Sequence, residues 1–179
     1  MTKQVTKKAK YRNNKAVYFK HTGQVCKVED LVKGLDKQDA KEKVHQITDR
    51  TGEGILFDSM LEAEYYRDII VPKLETGTIT KCILHPRYLL QKKFEKYGRI
   101  HKEVYYEADF ELNFDNGPIL VIDIKGMATE TALLKRKLFD STYPDMTLNW
   151  ISHCQKYGGW IAYDDLLAMR RKNKKQKAA

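Results

Sequence analysis

The triplet Asp115-Asn116-Gly117 constrains this chain most, because it stands between two runs that read as strands, YYEADFELNF before it and PILVIDIKG after it. Asn-Gly between alternating runs is a strong signal for a tight hairpin. In a hairpin centred on residue 116 the facing residue numbers sum to 232, a condition that Asp109 and Asp123 meet. Residues directly opposite have Cβ atoms about 5 Å apart, so two carboxylates are expected face to face. Alternation puts Tyr106, Ala108, Phe110, Leu112 and Phe114 on one face of the first strand, and Tyr105, Glu107, Asp109, Glu111 and Asn113 on the other. On the second strand Leu120, Ile122 and Ile124 form the apolar set, while Val121, Asp123 and Lys125 point the opposite way.

Like charges facing each other across a ladder are destabilising and call for compensation. A divalent cation would supply it, since Mg²⁺ favours one or two carboxylates with waters and phosphate oxygens. Lys125 returns to the side of Asp123 about 6 to 7 Å along the strand. There it could hold a water or stabilise charge developing on a phosphate. The same pattern also fits a solvated sheet face with Lys125 as a simple counterion, and the strand residues alone leave both readings open.

At 179 residues the chain suits one ordinary domain with appendages. Its three cysteines, Cys26, Cys82 and Cys154, are isolated in sequence, which offers neither a disulfide framework nor a metal knuckle and suits a reducing cytosol. No run approaches the roughly 20 apolar residues of a membrane span, and no apolar signal-peptide core is seen. A soluble, cytoplasmic protein is expected. The net charge of +9 is uneven: residues 1–20 carry seven Lys/Arg and residues 170–179 six, with no acid in either stretch. Residues 21–169 are slightly acidic, with 20 Lys/Arg against 24 Asp/Glu. Basic arms on an acidic body suit a polyanionic partner, although charged tails that serve solubility read the same way.

Along the chain, Ala16-Val17-Tyr18-Phe19 suggests a short strand after a mobile basic start. Residues 27–47 read as charged helix interrupted near Gly34, with Leu31, Val32, Leu35 and Val44 inward. Gly52 and Gly54 break the chain, and FDSMLEAEYYRDIIVPKL predicts a helix capped at Asp58 or Ser59 and ended by Pro72. Ser59 and Glu62 form a capping-box pattern. Residues 79–84 and 87–91 are strand-like, interrupted by His85-Pro86, and KKFEKYGRIHK after them looks basic and mobile. A helix from Thr129 to before Pro144, a strand in MTLNWIS, and a short strand and final helix in WIAYDDLLAMRRKNKKQK complete a mixed α/β sheet with packed helices.

The set FDSMLEAEYY, YYEADF and VIDIKGMATETALLKRKL resembles the PD-(D/E)XK nuclease superfamily, and is similar to its phage-encoded Holliday-junction-resolvase or endonuclease I-like members. The similarity runs from about Phe57 to Pro144. It implies a restriction-endonuclease-like mixed sheet flanked by helices, with basic N- and C-terminal extensions. By that resemblance Glu62, Asp109 and Asp123 bind Mg²⁺ or Mn²⁺ and Lys125 positions the attacking water. Thr129, Lys135 and Lys137 match polar positions that follow the D-x-K, with Thr129 capping a helix whose N-terminus could hold a phosphate. Ala108 stands where a proline usually precedes the first aspartate.

The expected organisation is a basic arm over 1–20, a helical insertion over 21–54, a nuclease core over 55–163, and a C-terminal helix and basic tail over 164–179. The implied activity is Mg²⁺-dependent hydrolysis of phosphodiester bonds in DNA, structure-specific on branched substrates, in phage recombination or replication within the host cytoplasm. Two symmetric cuts would suit a homodimer. Lys8, Arg12, Arg170 and Arg171 are expected to help grip the backbone. The alternatives are a DNA-binding protein that keeps the scaffold without catalysis, or a nuclease for other DNA substrates. The five histidines lack zinc-ligand spacing, and neither a nucleotide-binding glycine loop nor a GxSxG elbow is present.

Overall fold

A computed structural model describes residues 15–178. Lys8 and Arg12 of the expected basic arm lie outside the described residues. The chain forms two compact units, Met1–Pro72 and Lys73–Ala179.

In the first unit β1 (Ala16–Phe19) lies between β2 (Val25–Lys27) and β3 (Gly54–Phe57), antiparallel to both. Gly54 opens β3 rather than merely breaking the chain: a Cβ there would lie 2.5 Å from Val17 Cγ1 and 2.8 Å from Ile47 Cγ2, so only glycine permits the approach. The segment between β2 and β3 holds α1 (Val28–Leu31) and α2 (Lys37–His45), the latter capped by Asp36 on the N–H groups of Gln38 and Asp39. Leu35, expected inward, is exposed, because it falls in the turn between these helices. Then α3 (Met60–Tyr65) widens into a π turn over Tyr66–Ile70 and resumes as α4 (Val71–Glu75). Pro72 therefore does not end the helix as expected. The π turn, closed by Val71 N–H on Tyr66 O, drops Pro72 into the first turn of α4, where a missing donor is tolerated. Val17, Phe57, Ala63 and Ile70 are buried, and the Tyr66 ring lies 5.3 Å from those of Tyr18 and Phe57.

The second unit begins with one long ribbon. Strands β4 (Lys81–Leu84), β5 (Arg87–Gln91) and β6 (Phe94–Lys96) run out, and β7 (Arg99–His101), β8 (Val104–Glu107) and β9 (Phe110–Asn113) run back against them. The expectation of a mobile segment after residue 91 is thus corrected: those residues form the β6–β7 hairpin, closed by Tyr97-Gly98 with both φ values positive. The ribbon bends where His85-Pro86 meets Ala108-Asp109, because proline cannot donate to the ladder. Two backbone bonds hold the bend, His85 N–H to Asp109 O at 3.0 Å and Ala108 N–H to Pro86 O at 3.1 Å.

Past the turn with Asn116 in the left-handed region comes β10 (Leu120–Ile124), then α5 (Glu130–Thr142), β11 (Thr147–Cys154), β12 (Gly159–Ala162) and α6 (Tyr163–Ala178). The sheet order is β12-β11-β10-β9-β4, with β10 and β11 parallel and the other pairs antiparallel. The α5 crossover makes the parallel pair possible, and the unit is a mixed α/β sheet carrying helices. On one face Val121, Leu148 and Trp150 pack with Phe139 of α5, Tyr163 of α6, and Tyr88 and Tyr106 of the folded-over β5–β8 ribbon. Among the described residues no helix is long and apolar enough to cross a membrane.

Candidate active site

The register at the heart of the sequence argument is present. Leu120 faces Leu112, Val121 faces Glu111 and Ile122 faces Phe110, all with the predicted sum. The ladder ends there, so Asp109 is not a regular strand partner of Asp123. It sits in the bend, where its N–H bonds to Ile122 O at 3.1 Å and its Oδ2 takes the N–H of Ile124 at 2.5 Å. The carboxylate thus replaces a backbone acceptor and is fixed at the end of β10.

The polar face of the hairpin, for which a solvated surface was one of two open readings, is covered. Asp123 is 3% exposed and lies beside the aromatic cluster, because the bend folds β5 and β8 back so that their facing pair Tyr88 and Tyr106 lies over that side of the sheet. Alternation assigned Tyr106 to the opposite face from the acids, and the break at Ala108-Asp109 undoes that assignment. Each tyrosine meets an acid: Tyr88 OH donates to Glu111 Oε2 at 2.6 Å, and Tyr106 OH to Asp123 Oδ2 at 2.5 Å. Trp150 Nε1–H donates in turn to the Tyr106 hydroxyl at 2.6 Å.

Lys125 does return to the side of Asp123, with Nζ 2.7 Å from Oδ1 and its side chain 24% exposed. Its backbone is tied to β11, the N–H bonding to Ile151 O at 2.7 Å and the C=O accepting from Ser152 Oγ. Asp123 is therefore compensated by one ammonium and one phenol. Burial, then the charge of Asp123, then that of Asp109 push the Tyr106 phenol far above its ordinary range, opposed by the bond from Trp150. The phenol stays protonated and remains a donor.

Sequence reasoning set the histidines aside, yet His85 lies across the bend from Asp109. An imidazole nitrogen of His85 is within 4.8 Å of an Asp109 carboxylate oxygen. A carboxylate suits a hard cation, and an imidazole beside Asp109 tilts that pair of donors toward Mn²⁺; Asp123, held by Lys125 and Tyr106, is not brought into this group. By donor type the carboxylates of Asp109 and Asp123 fit the implied divalent ion, which takes oxygen ligands.

Glu62 belongs to the first unit and is 7% exposed. The capping box is real: Ser59 Oγ accepts from Glu62 N–H at 3.2 Å and donates to Oε1 at 2.7 Å, while Oε2 accepts from Asp58 N–H at 3.2 Å. Thr129 caps α5 as expected, on Ala132 N–H at 3.2 Å. Lys137 is exposed and Lys135 half-buried on that helix. Arg136 between them is committed elsewhere, bidentate to Asp164 at 3.2 and 2.7 Å and 4.7 Å above the Trp150 ring, with its guanidinium held more basic by Asp164. Arg170 and Arg171 are exposed on α6, which extends as helix through the segment expected to be tail.

A family model described as a protein of unknown function (DUF1064) matches residues 46–159. No curated protein and no solved structure matches the chain.

Proposed function

The chain belongs to DUF1064, a family of unknown function, and from the geometry of its second unit we propose that it is a metal-dependent endodeoxyribonuclease with a restriction-endonuclease-like core. The carrying observation is the cluster at the end of β10: buried Asp123, Lys125 paired to it at 2.7 Å, and Asp109 pinned to Ile124 N–H at 2.5 Å. Asp109 and Asp123 would hold Mg²⁺ or Mn²⁺, and a bound ion supplies Lewis-acid stabilisation of a phosphoryl oxygen and a more acidic water. Lys125, partly open to solvent, can turn its ammonium from Asp123 to a water or a phosphate oxygen. Tyr106 and Trp150 hold the Asp123 carboxylate in one orientation. Thr129 fixes the N-terminus of α5, which favours an anion there, and Lys135, Lys137, Arg170 and Arg171 extend the positive surface. The resemblance gives Glu62 a metal role that Glu62→Gln tests separately.

The substrate proposed is branched DNA, cut by a homodimer in the cytoplasm of a host cell. Met127, Leu134 and Leu138 are exposed, the two leucines one turn apart on α5, and form the apolar surface such a pairing would bury.

A second reading, DNA binding without catalysis, is favoured by one feature: both Asp123 oxygens already have protein donors, Lys125 and Tyr106. Labelled four-way junction, flap, duplex and single-stranded DNA incubated with Mg²⁺, Mn²⁺ or EDTA separate the two. The nuclease gives metal-dependent products, reduced about 10²- to 10³-fold by Lys125→Ala and lost in Asp123→Asn. Intact DNA in every lane with either ion, alongside retained binding, establishes the second reading instead.

A further inference from the structure

The β6–β7 hairpin carries five Lys/Arg between residues 92 and 103 against two acids, Glu95 and Glu103. In its register Phe94 faces His101 and Lys96 faces Arg99, so these four side chains share one face. Phe94 and His101 stack, with ring centroids 4.5 Å apart and planes 7° apart. Lys96 and Arg99 are like charges directly opposite each other, an arrangement that destabilises a ladder unless an anion lies across it. Among the described residues neither has a carboxylate within ion-pair distance. With Tyr97 and His101 they line a concavity of about 360 Å³.

The turn adds a second, independent sign. Tyr97 has φ 51° and is 92% exposed, in a position where a tight hairpin turn prefers asparagine or glycine. A bulky residue in the left-handed region is sterically strained, and strain of this kind collects at functional positions. The ring meets the Lys96 ammonium at 5.5 Å from its centroid and otherwise stands out in water, with Ile100 also exposed.

We propose that the β6–β7 hairpin is an arm that grips duplex DNA, with Lys96 and Arg99 on phosphate oxygens and Tyr97 entering the groove at the tip. The size fits: three residues per strand span about 10 Å, and the major groove, about 12 Å wide, admits a two-stranded ribbon. The arm rests on the reading of this chain as acting on DNA, and adds to it a binding surface away from Asp109 and Asp123.

The test is binding of the full chain to a short fluorescein-labelled duplex in EDTA across a salt series, followed by anisotropy. Lys96→Gln with Arg99→Gln lowers affinity about tenfold or more, and reduces the slope of log K against log salt by about 2, near 0.9 for each phosphate no longer neutralised. Tyr97→Asn installs the residue the turn prefers, so it melts no lower than the wild type; it weakens duplex binding with the salt slope unchanged. Wild-type affinity and slope in the double variant overturn the arm, and an equal loss on a single strand of the same length overturns the groove assignment. Because the readout is metal-free binding, a protein that cuts nothing in Mg²⁺ leaves this result standing, while failure of the arm leaves the cleavage tests on Asp123 untouched.

Discussion

Replacing Tyr106 by Phe deletes one oxygen and keeps the ring packed near Phe139, with centroids 5.4 Å apart. That oxygen serves two buried partners, accepting from Trp150 Nε1–H at 2.6 Å and donating to Asp123 Oδ2 at 2.5 Å. Trp150 is 2% and Asp123 3% exposed, so water does not take its place. An orphaned buried donor costs about 1 to 3 kcal/mol, and a lost bond to a charged acceptor about 1.5 to 3 kcal/mol. Relief from desolvating the hydroxyl offsets about 1 to 2 kcal/mol of this. The expected loss is then about 2 to 4 kcal/mol. With a urea slope of about 2 kcal/mol/M, the unfolding midpoint falls by about 1 to 2 M.

The same variant has a pH signature. Burial first, with the Asp123 charge next, raises the folded pKa of Tyr106 from its ordinary 10.0, so the unfolded chain releases this proton first as pH rises. The stabilisation is complete below pH 10 and is lost above it, at up to about 1.4 kcal/mol per pH unit. Tyr88, raised by burial and then by its bond to Glu111, adds a limb of the same sign. The wild type therefore loses stability steeply between pH 10 and 11, and Tyr106→Phe more gently. A midpoint shift below about 0.3 M in urea, or an alkaline limb as steep as that of the wild type, would refute the network as described.

Arg136→Lys loses the fork on Asp164 and the stack on Trp150, and lowers stability by about 1 kcal/mol in urea unfolding, while Lys137→Gln leaves it unchanged. Burial pushes the Cys82 thiol up to about 12, so at pH 8 in the native protein Cys82 resists iodoacetamide, and peptide mass mapping finds it unlabelled until denaturant is added. His85→Ala weakens Mn²⁺ binding about tenfold by titration calorimetry and Mg²⁺ binding far less, because imidazole suits the softer ion. If the proposed homodimer pairs through α5, Leu134→Lys halves the mass read by light scattering; a mass unchanged from the wild type rules α5 out as the pairing surface.

Where the chain reverses tightly, its sequence names the geometry. Asn116-Gly117 gave the β9–β10 register to the residue, and Thr129 and Ser59 gave two helix starts, because each device acts within a few residues. The β6–β7 hairpin carries little signal because its turn is Tyr97-Gly98, without the usual asparagine, and each three-residue strand has only one apolar residue, Phe94 or Ile100, too few to show alternation. Pro72 misled because a π turn lies upstream of it, and π turns carry no residue code of their own.

Asp123 shows the limit more sharply. The register of the residues leading to it, Leu120 to Ile122, followed from arithmetic, but whether that face is wet depends on what folds over it, and that is decided by a bend at His85-Pro86 and Ala108-Asp109, 14 or more residues away in sequence. Alternation counts faces only along an unbroken strand, so one break between β8 and β9 moved Tyr106 from the far side to the side of Asp123. The far side of the bend follows a second register, set by the β5–β8 pairing. Leu84 faces Phe110 and Arg87 faces Glu107, which leaves His85 opposite Asp109. Counting back from Tyr97-Gly98, where facing numbers sum to 195, would put Pro86 opposite Asp109; the bulge between Leu89 and Gln91 lowers the sum to 194 and brings His85 there instead. The covered face also changes what Lys125 must do: in a wet sheet it would be one counterion among many, whereas beside a carboxylate at 3% exposure it is the ammonium that makes burial of that charge tolerable.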